Sequence, residues 1–264
     1  MCTATWIRNG RGPAAGYEFR FNRDELRSRG EALGPRRHDA TGRAGDAVSY
    51  LAPVDPDAGG TWIAVNEFGL TVALLNGFRA CDHEPRDFTS RGLLVTQLAA
   101  STSAADVETA LRADDLVRYR SFRLLVLAPG PPVFLAEWDG RHLTVEPNVE
   151  HRLPIVSSSF DETDVGRARR AAFERIVGDP AAADSAALDA YHKSHDPEPS
   201  AYSVCMHRPE ACTRSLTLVR VTVNEVAIVY TPGPPGETDR TMELRLPRRL
   251  EPERAAARPR NELP

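Results

Sequence analysis

Lysine is almost absent: among the 33 basic residues Lys193 is the single lysine, and the rest are arginines spread along the chain. They are outnumbered by 37 acidic residues, giving a net charge of −4, so no basic surface for a phosphate backbone is implied and nucleic acid is not an expected partner. No apolar stretch approaches the roughly 18 residues of a membrane-spanning helix, and the segment from Met1 to Arg8 lacks a basic region followed by an apolar run. A cytoplasmic protein with no membrane span is expected. Cysteine is scarce too. Cys2, Cys81, Cys205 and Cys212 show no paired C-x-x-C spacing and are too few to staple 264 residues, so reduced, packed thiols are expected in preference to a Cys205–Cys212 bridge. Gly10, Gly12 and Gly16 form no phosphate fingerprint, because the strand-to-helix setting that such a loop requires is missing.

What is present is enough apolar material, 41% of the residues, to close a substantial core, and the length suits one large domain over 1–249. Residues 250–264 are charged and carry almost no apolar side chains, which predicts a disordered tail. Alternating apolar and polar residues predict strands over 3–7 and 17–22, paired as a hairpin. In the second, Tyr17, Phe19 and Phe21 fall on one face and Glu18, Arg20 and Asn22 on the other, because strand side chains alternate with period two. Residues 27–59 read as a long surface excursion, followed by a hairpin over 61–75 turning at Asn66-Glu67-Phe68-Gly69. Helices are predicted over 90–99 and from Ser103, an N-cap with Asp106 three residues on; a three-strand meander follows over 122–145. Helical periodicity returns over 162–177, where Val165, Ala168, Ala172, Phe173 and Ile176 line one side, and over 181–192. Strands over 216–223 and 226–230 complete the order, and no internal repeat is visible. Hairpin connections imply antiparallel sheets with helices on their outer faces: an α+β fold, an αββα four-layer sandwich.

Cys2 has a chemical property that no other position shares. Removal of Met1, favoured before a small side chain, would put a thiol and a free α-amine on one residue, so nucleophile and base arrive together. The two groups titrate near about 8.5 and about 7.7–8.0, so little electrostatic help suffices to yield thiolate. Arg20-Phe21-Asn22-Arg23-Asp24-Glu25 ends the strand expected to pair with the one starting at Cys2, so Asp24 is placed to orient the amine; a solvated strand end with an internal ion pair is the plain alternative. Asn76, between Leu75 and Gly77 after an apolar strand, is either an oxyanion donor or a turn asparagine.

These residues, with Gly59-Gly60-Thr61-Trp62, Ser90-Arg91-Gly92, the segment 119–125 and Thr213-Arg214-Ser215, occur in an order that resembles the NRDE family, the transport-and-Golgi-organisation proteins, over roughly residues 1–220. That family is similar to the N-terminal-nucleophile hydrolases, and especially to the cysteine branch with penicillin V acylases and bile-salt hydrolases. The resemblance implies the αββα sandwich, Cys2 as nucleophile, Asp24 as the carboxylate holding the α-amine, Asn76 as an oxyanion donor and Arg214 as a cation beside the thiol. It also implies Arg23 as the motif arginine, although alternation would put Arg20 on the face of Asn22 and Asp24, which makes Arg20 the substitute. Asn22, Trp62 and Ser158 join as supporting or substrate-binding residues. Two departures stand out: Ser158 occupies the position of a family asparagine, and Glu210-Ala211-Cys212 replaces the usual glycine before Thr213-Arg214.

The expected activity is cleavage of a carbon–nitrogen amide bond of a small molecule, such as an N-acyl compound, through a thioester and without a cofactor. The alternative is a non-catalytic lipid- or haem-handling or trafficking protein on the same fold, the roles associated with the family's eukaryotic members. His192, His195 and Asp196 lack an evident third partner, so they are expected at the surface and no metal is assigned.

Overall fold

The computed structural model describes residues 2–250 apart from 11, 13–14, 44, 79–87 and 197, and among these it has thirteen strands, four α-helices and two short 3-10 helices at Leu116–Arg118 and Val149–Arg152. The strands form two antiparallel sheets. The first contains β1 (Cys2–Asn9), β2 (Gly16–Leu26), β10 (Ile155–Ser157), β11 (Ala211–Val221), β12 (Glu225–Pro232) and β13 (Met242–Pro247), in the order β10-β1-β2-β11-β12-β13. The second contains β3 (Leu33–Thr41), β4 (Ala47–Val54), β5 (Ile63–Asn66), β6 (Thr71–Asn76), β7 (Phe122–Leu127), β8 (Phe134–Trp138) and β9 (Leu143–Pro147), and its spatial order follows the chain.

The alternation in β2 sets how the layers meet. Phe19 and Phe21, with Trp6 from β1, face the second sheet and share one apolar cluster with its Ile63, Leu75 and Leu125. The opposite face of the first sheet carries α3 (Glu162–Ile176) and α4 (Ser185–Lys193), whose Phe173 and Tyr191 meet edge-on at 5.2 Å. The outer face of the second sheet is covered by α1 (Arg91–Leu98) and α2 (Ala104–Ala113), with Leu94, Val95, Val107 and Leu111 packed on Val72, Leu124 and Phe134. This is the four-layer αββα sandwich. Among the described residues no helix is long and apolar enough to cross a membrane.

Helix ends follow local chemistry. The Ser90 hydroxyl accepts from the Gly92 N–H at the start of α1, and Ser103 accepts from Asp106 at the start of α2. The predicted start of the fourth helix at 181 is corrected to Ser185, because Asp184 caps it by accepting from the Ala187 N–H. The excursion expected over 27–59 is corrected as well: it holds β3 and β4. β3 escaped the pattern because it is an edge strand, LGPRRHDAT, whose charged residues and proline suit an unpaired rim. β10 and β13 lie at the two edges of the first sheet and were missed for the same reason. β11 begins at Ala211, five residues before the expected start, so Thr213-Arg214-Ser215 lies inside a strand. Cys2, Cys205 and Cys212 are free thiols, and the expected tail falls, after Leu250, outside the described residues.

Candidate active site

Register brings the start of the chain to its motif. Cys2 stands opposite Arg23 on β2 and Ser157 on β10, and Arg23 in turn stands opposite Ser215 on β11. Side chains of directly opposed residues share a face, so this row looks inward toward the second sheet. A cavity of about 290 Å³ opens there, bordered by Cys2, Arg23, Asp24, Trp62, Asn76 and Arg91. The nucleophile candidate and Asn76 therefore come from different sheets, with Asn76 at the last position of β6.

Two glycine-containing motifs build the rim together. A Cβ on Gly60 would lie 2.4 Å from the backbone carbon of Gly92, and Thr61 N–H donates to Gly92 C=O at 3.2 Å. Gly59-Gly60-Thr61-Trp62 and Ser90-Arg91-Gly92 are thus one interlocked unit, in which only glycine allows the loop to lie against the first turn of α1. Trp62 then receives the Arg23 guanidinium, whose carbon sits 4.3 Å from the ring centroid, a cation–π contact that keeps this cation beside the thiol. The Trp62 indole N–H has no acceptor among the described residues.

The thiol is buried, and that burial pushes Cys2 up to about 11; the Arg23 cation and the Asp24 backbone N–H pull the other way. Ionising it at neutral pH requires a base at hand. Asp24 is held on both carboxylate oxygens: Arg169 donates to Oδ2 at 3.0 Å and the Thr213 hydroxyl donates to Oδ1 at 2.6 Å. Arg169 and Asp24 are both fully buried, and the same Arg169 nitrogen reaches the Thr3 hydroxyl at 2.5 Å. Arg169 was not a sequence candidate, yet its signal was there. It occupies the apolar stripe of α3 four residues after Val165, where the expected Ala168 is only half-buried.

Four other candidates, Arg20, Asn22, Ser158 and Arg214, do not border the cavity, and the first two bond to α4. Arg20 donates to Asp189 at 2.7 Å and to Ser185, and pairs with Glu18, so it does not substitute for Arg23. Asn22 donates to the backbone carbonyls of His192 and Val204 and accepts from His192 Nδ1, tying α4 to β2. His192 is corrected from a surface residue to a buried one, with Thr5 donating to its Nε2 at 2.8 Å. Ser158 bonds the Phe160 backbone; the hydroxyl sharing the face of Cys2 belongs to Ser157, whose Oγ has no partner among the described residues. Arg214 is the extra residue of a β-bulge between Thr213 and Ser215, half-buried and outside the cavity border. Of Thr213-Arg214-Ser215, Thr213 is the member whose side chain bonds the motif carboxylate, while Ser215 pairs with Arg23 through the strand.

The cavity is rich in guanidinium groups. Arg29 is matched by Asp55 at 2.5 Å, whereas Arg91 and Arg120 have no ion-pair partner among the described residues. Burial, followed by repulsion from Arg120, brings Arg91 down to about 10, so it remains a cation at neutral pH.

His192 carries a pH prediction. Burial, then the Arg20 and Arg169 charges, hold it well below the ordinary imidazole value, so the folded protein keeps it neutral. The unfolded chain takes up a proton near about pH 6.5 and the folded chain does not. Stability from this group is therefore intact above that pH and falls by about 1.4 kcal/mol per unit as the pH drops below it. Urea unfolding of the parent and His192→Gln at about pH 7 and about pH 5.5 should show the variant losing less. Equal losses would refute the assignment.

A family model described as Transport and Golgi organisation 2 matches residues 1–150, more than half of the chain. No curated protein sequence matches at a significant level. Among solved structures, penicillin V acylase from Agrobacterium tumefaciens is similar with a TM-score of 0.53 at 12% identity, covering 92% of this chain and 86% of that one. A point variant of conjugated bile acid hydrolase from Clostridium perfringens gives 0.52 at 14% identity and 92% of each chain. The Caenorhabditis elegans N-acylethanolamine-hydrolyzing acid amidase orthologue gives 0.51 at 11%, covering 83% of this chain and 92% of that one. At these identities the likeness is one of fold.

Proposed function

The chain belongs to the transport and Golgi organisation 2 family, and from that membership together with the cavity around Cys2 we propose an amidohydrolase that cleaves a small N-acyl compound through an N-terminal cysteine. The observation that carries this reading is a thiol at the second position of the chain, opening on the cavity that Asn76 borders, next to a doubly anchored Asp24. The hydrolases that share the fold support it.

Removal of Met1 frees the Cys2 α-amine, which Asp24 holds and which takes the thiol proton. The thiolate attacks the acyl carbon, and the amide side chain of Asn76 donates to the resulting oxyanion. Collapse breaks the carbon–nitrogen bond while the α-ammonium returns the proton to the leaving amine. Water, deprotonated by the same amine, then attacks the thioester, releasing the carboxylic acid and restoring the thiol. In this reading Arg23, held on Trp62, rather than Arg214 in its bulge, is the cation that favours thiolate.

Intact mass of the purified protein should lack Met1, and a β-lactone probe should add one acyl group that maps to Cys2 and is absent in Cys2→Ala. Retention of Met1, or labelling that survives Cys2→Ala, would refute the hydrolase and favour the lipid- or haem-handling alternative.

A further inference from the structure

His195, Cys205 and His207 take no part in the chemistry above, and they converge outside the cavity. His195 lies two residues beyond α4, while Cys205 and His207 belong to the connection that leads into β11. Their donor atoms face one another: His195 Nε2 is 3.0 Å from His207 Nε2, Cys205 Sγ is 3.7 Å from that same nitrogen, and all three lie within 4.8 Å. Around a tetrahedral zinc ion, bonds of about 2.0–2.1 Å to nitrogen and about 2.3 Å to sulfur put two nitrogens about 3.3 Å apart and a nitrogen and a sulfur about 3.6 Å apart. The observed separations from His207 differ from these by a few tenths of an ångström. Hydrogen bonds account for the contacts two at a time, between the rings and from the Cys205 thiol to the same His207 nitrogen; the convergence of all three donor atoms is what matches a metal-ligand set. A further oxygen is near, since Glu237 Oε1 lies 3.6 Å from His207 Nε2.

We propose that His195, Cys205 and His207 form a binding site for a divalent metal ion of the zinc class, with Glu237 or water closing the fourth position. Two imidazoles and one thiolate are the donor set that a borderline-soft ion prefers. This departs from the expectation of no metal, which rested on His192 and Asp196 as neighbours of His195; the partners come instead from ten and twelve residues further on. The ion would pin the end of α4 to the loop that grips Thr213. That loop already exchanges hydrogen bonds there: Thr213 N–H donates to Met206 C=O at 2.9 Å and Met206 N–H donates to the Thr213 hydroxyl at 2.8 Å. Since the same hydroxyl donates to Asp24, the site is structural support for the anchor of Asp24. The proposal stands whether or not the chain hydrolyses amides.

Cobalt(II) titrated into the full chain, after treatment with a chelator, tests it. One equivalent should bind with a thiolate-to-cobalt charge-transfer absorption that zinc abolishes. His195→Gln and His207→Gln, whose sites are partly exposed, should each weaken binding by about tenfold or more while circular dichroism in chelator stays that of the parent. Cys2→Ala should keep the band. No charge-transfer band in the parent at stoichiometric cobalt, full binding in both histidine variants, or a band lost in Cys2→Ala alone would each overturn the proposal.

Discussion

Arg169→Met lowers the free energy of unfolding by about 3–5 kcal/mol. The size follows from what the change leaves behind. Asp24 and Arg169 are enclosed together between β2 and α3, and the change takes from a buried carboxylate the cation and the charge-assisted hydrogen bond that Arg169 supplies, while the Thr213 hydroxyl bond stays. Methionine fills most of the volume, so the loss reports charge and hydrogen bonding more than a cavity. Removing both charges at once, in Asp24→Asn with Arg169→Met, costs less than the sum of the single changes because each single change already breaks the buried pair. Urea unfolding of the four proteins measures this. A single variant within about 1 kcal/mol of the parent, or strict additivity, would show that the pair is better solvated than its burial indicates.

Asn76→Ala slows acylation of Cys2 by about 10²–10³-fold with little effect on stability. Asn76 is half-buried at the end of β6 and borders the cavity, so truncation removes a donor without emptying a core position. The expected loss lies in the rate of the acylation step, since an oxyanion exists in the transition state and not in the bound ground state. The second-order rate of β-lactone labelling in parent and variant measures it directly. An unchanged rate would assign the oxyanion to other donors and reduce Asn76 to a turn residue.

The contrast between these two residues shows what the sequence discloses. Asn76 was legible because it follows an apolar strand and precedes glycine, both local features. For Arg169 the apolar stripe of α3 signals burial but not the partner, because Asp24 is 145 residues away and nothing local says which carboxylate the cation will meet. Most central strands were readable from their apolar pattern, since each is buried by a neighbour on both sides; β4, central but set in the Arg-, Gly- and Pro-rich 27–59 segment, was not. The rim strands β3, β10 and β13 were not, because a rim strand satisfies half of its backbone in solvent and needs no apolar period; β9, also at a rim, was found through the Asp139-Gly140 turn before it. Arg20 was named beside Arg23 for a related reason: alternation placed it with Asn22 and Asp24, but only the three-dimensional packing reveals that α4 covers that face. His195 kept its partners hidden in the same way, since Cys205 and His207 reach it through a loop.

The placement of thiol and amide on separate sheets has a mechanical consequence. Among the described residues no strand pairing joins the sheets of Cys2 and Asn76; their spacing is gauged by the aromatic and aliphatic filling between the layers, a cluster that includes Phe21, Leu75 and Ile63. Widening or thinning that filling would act like a shim, moving the two groups apart or together while leaving each intact. Substitutions in the buried interlayer are thus a route by which this architecture could be tuned for bulkier or leaner acyl chains.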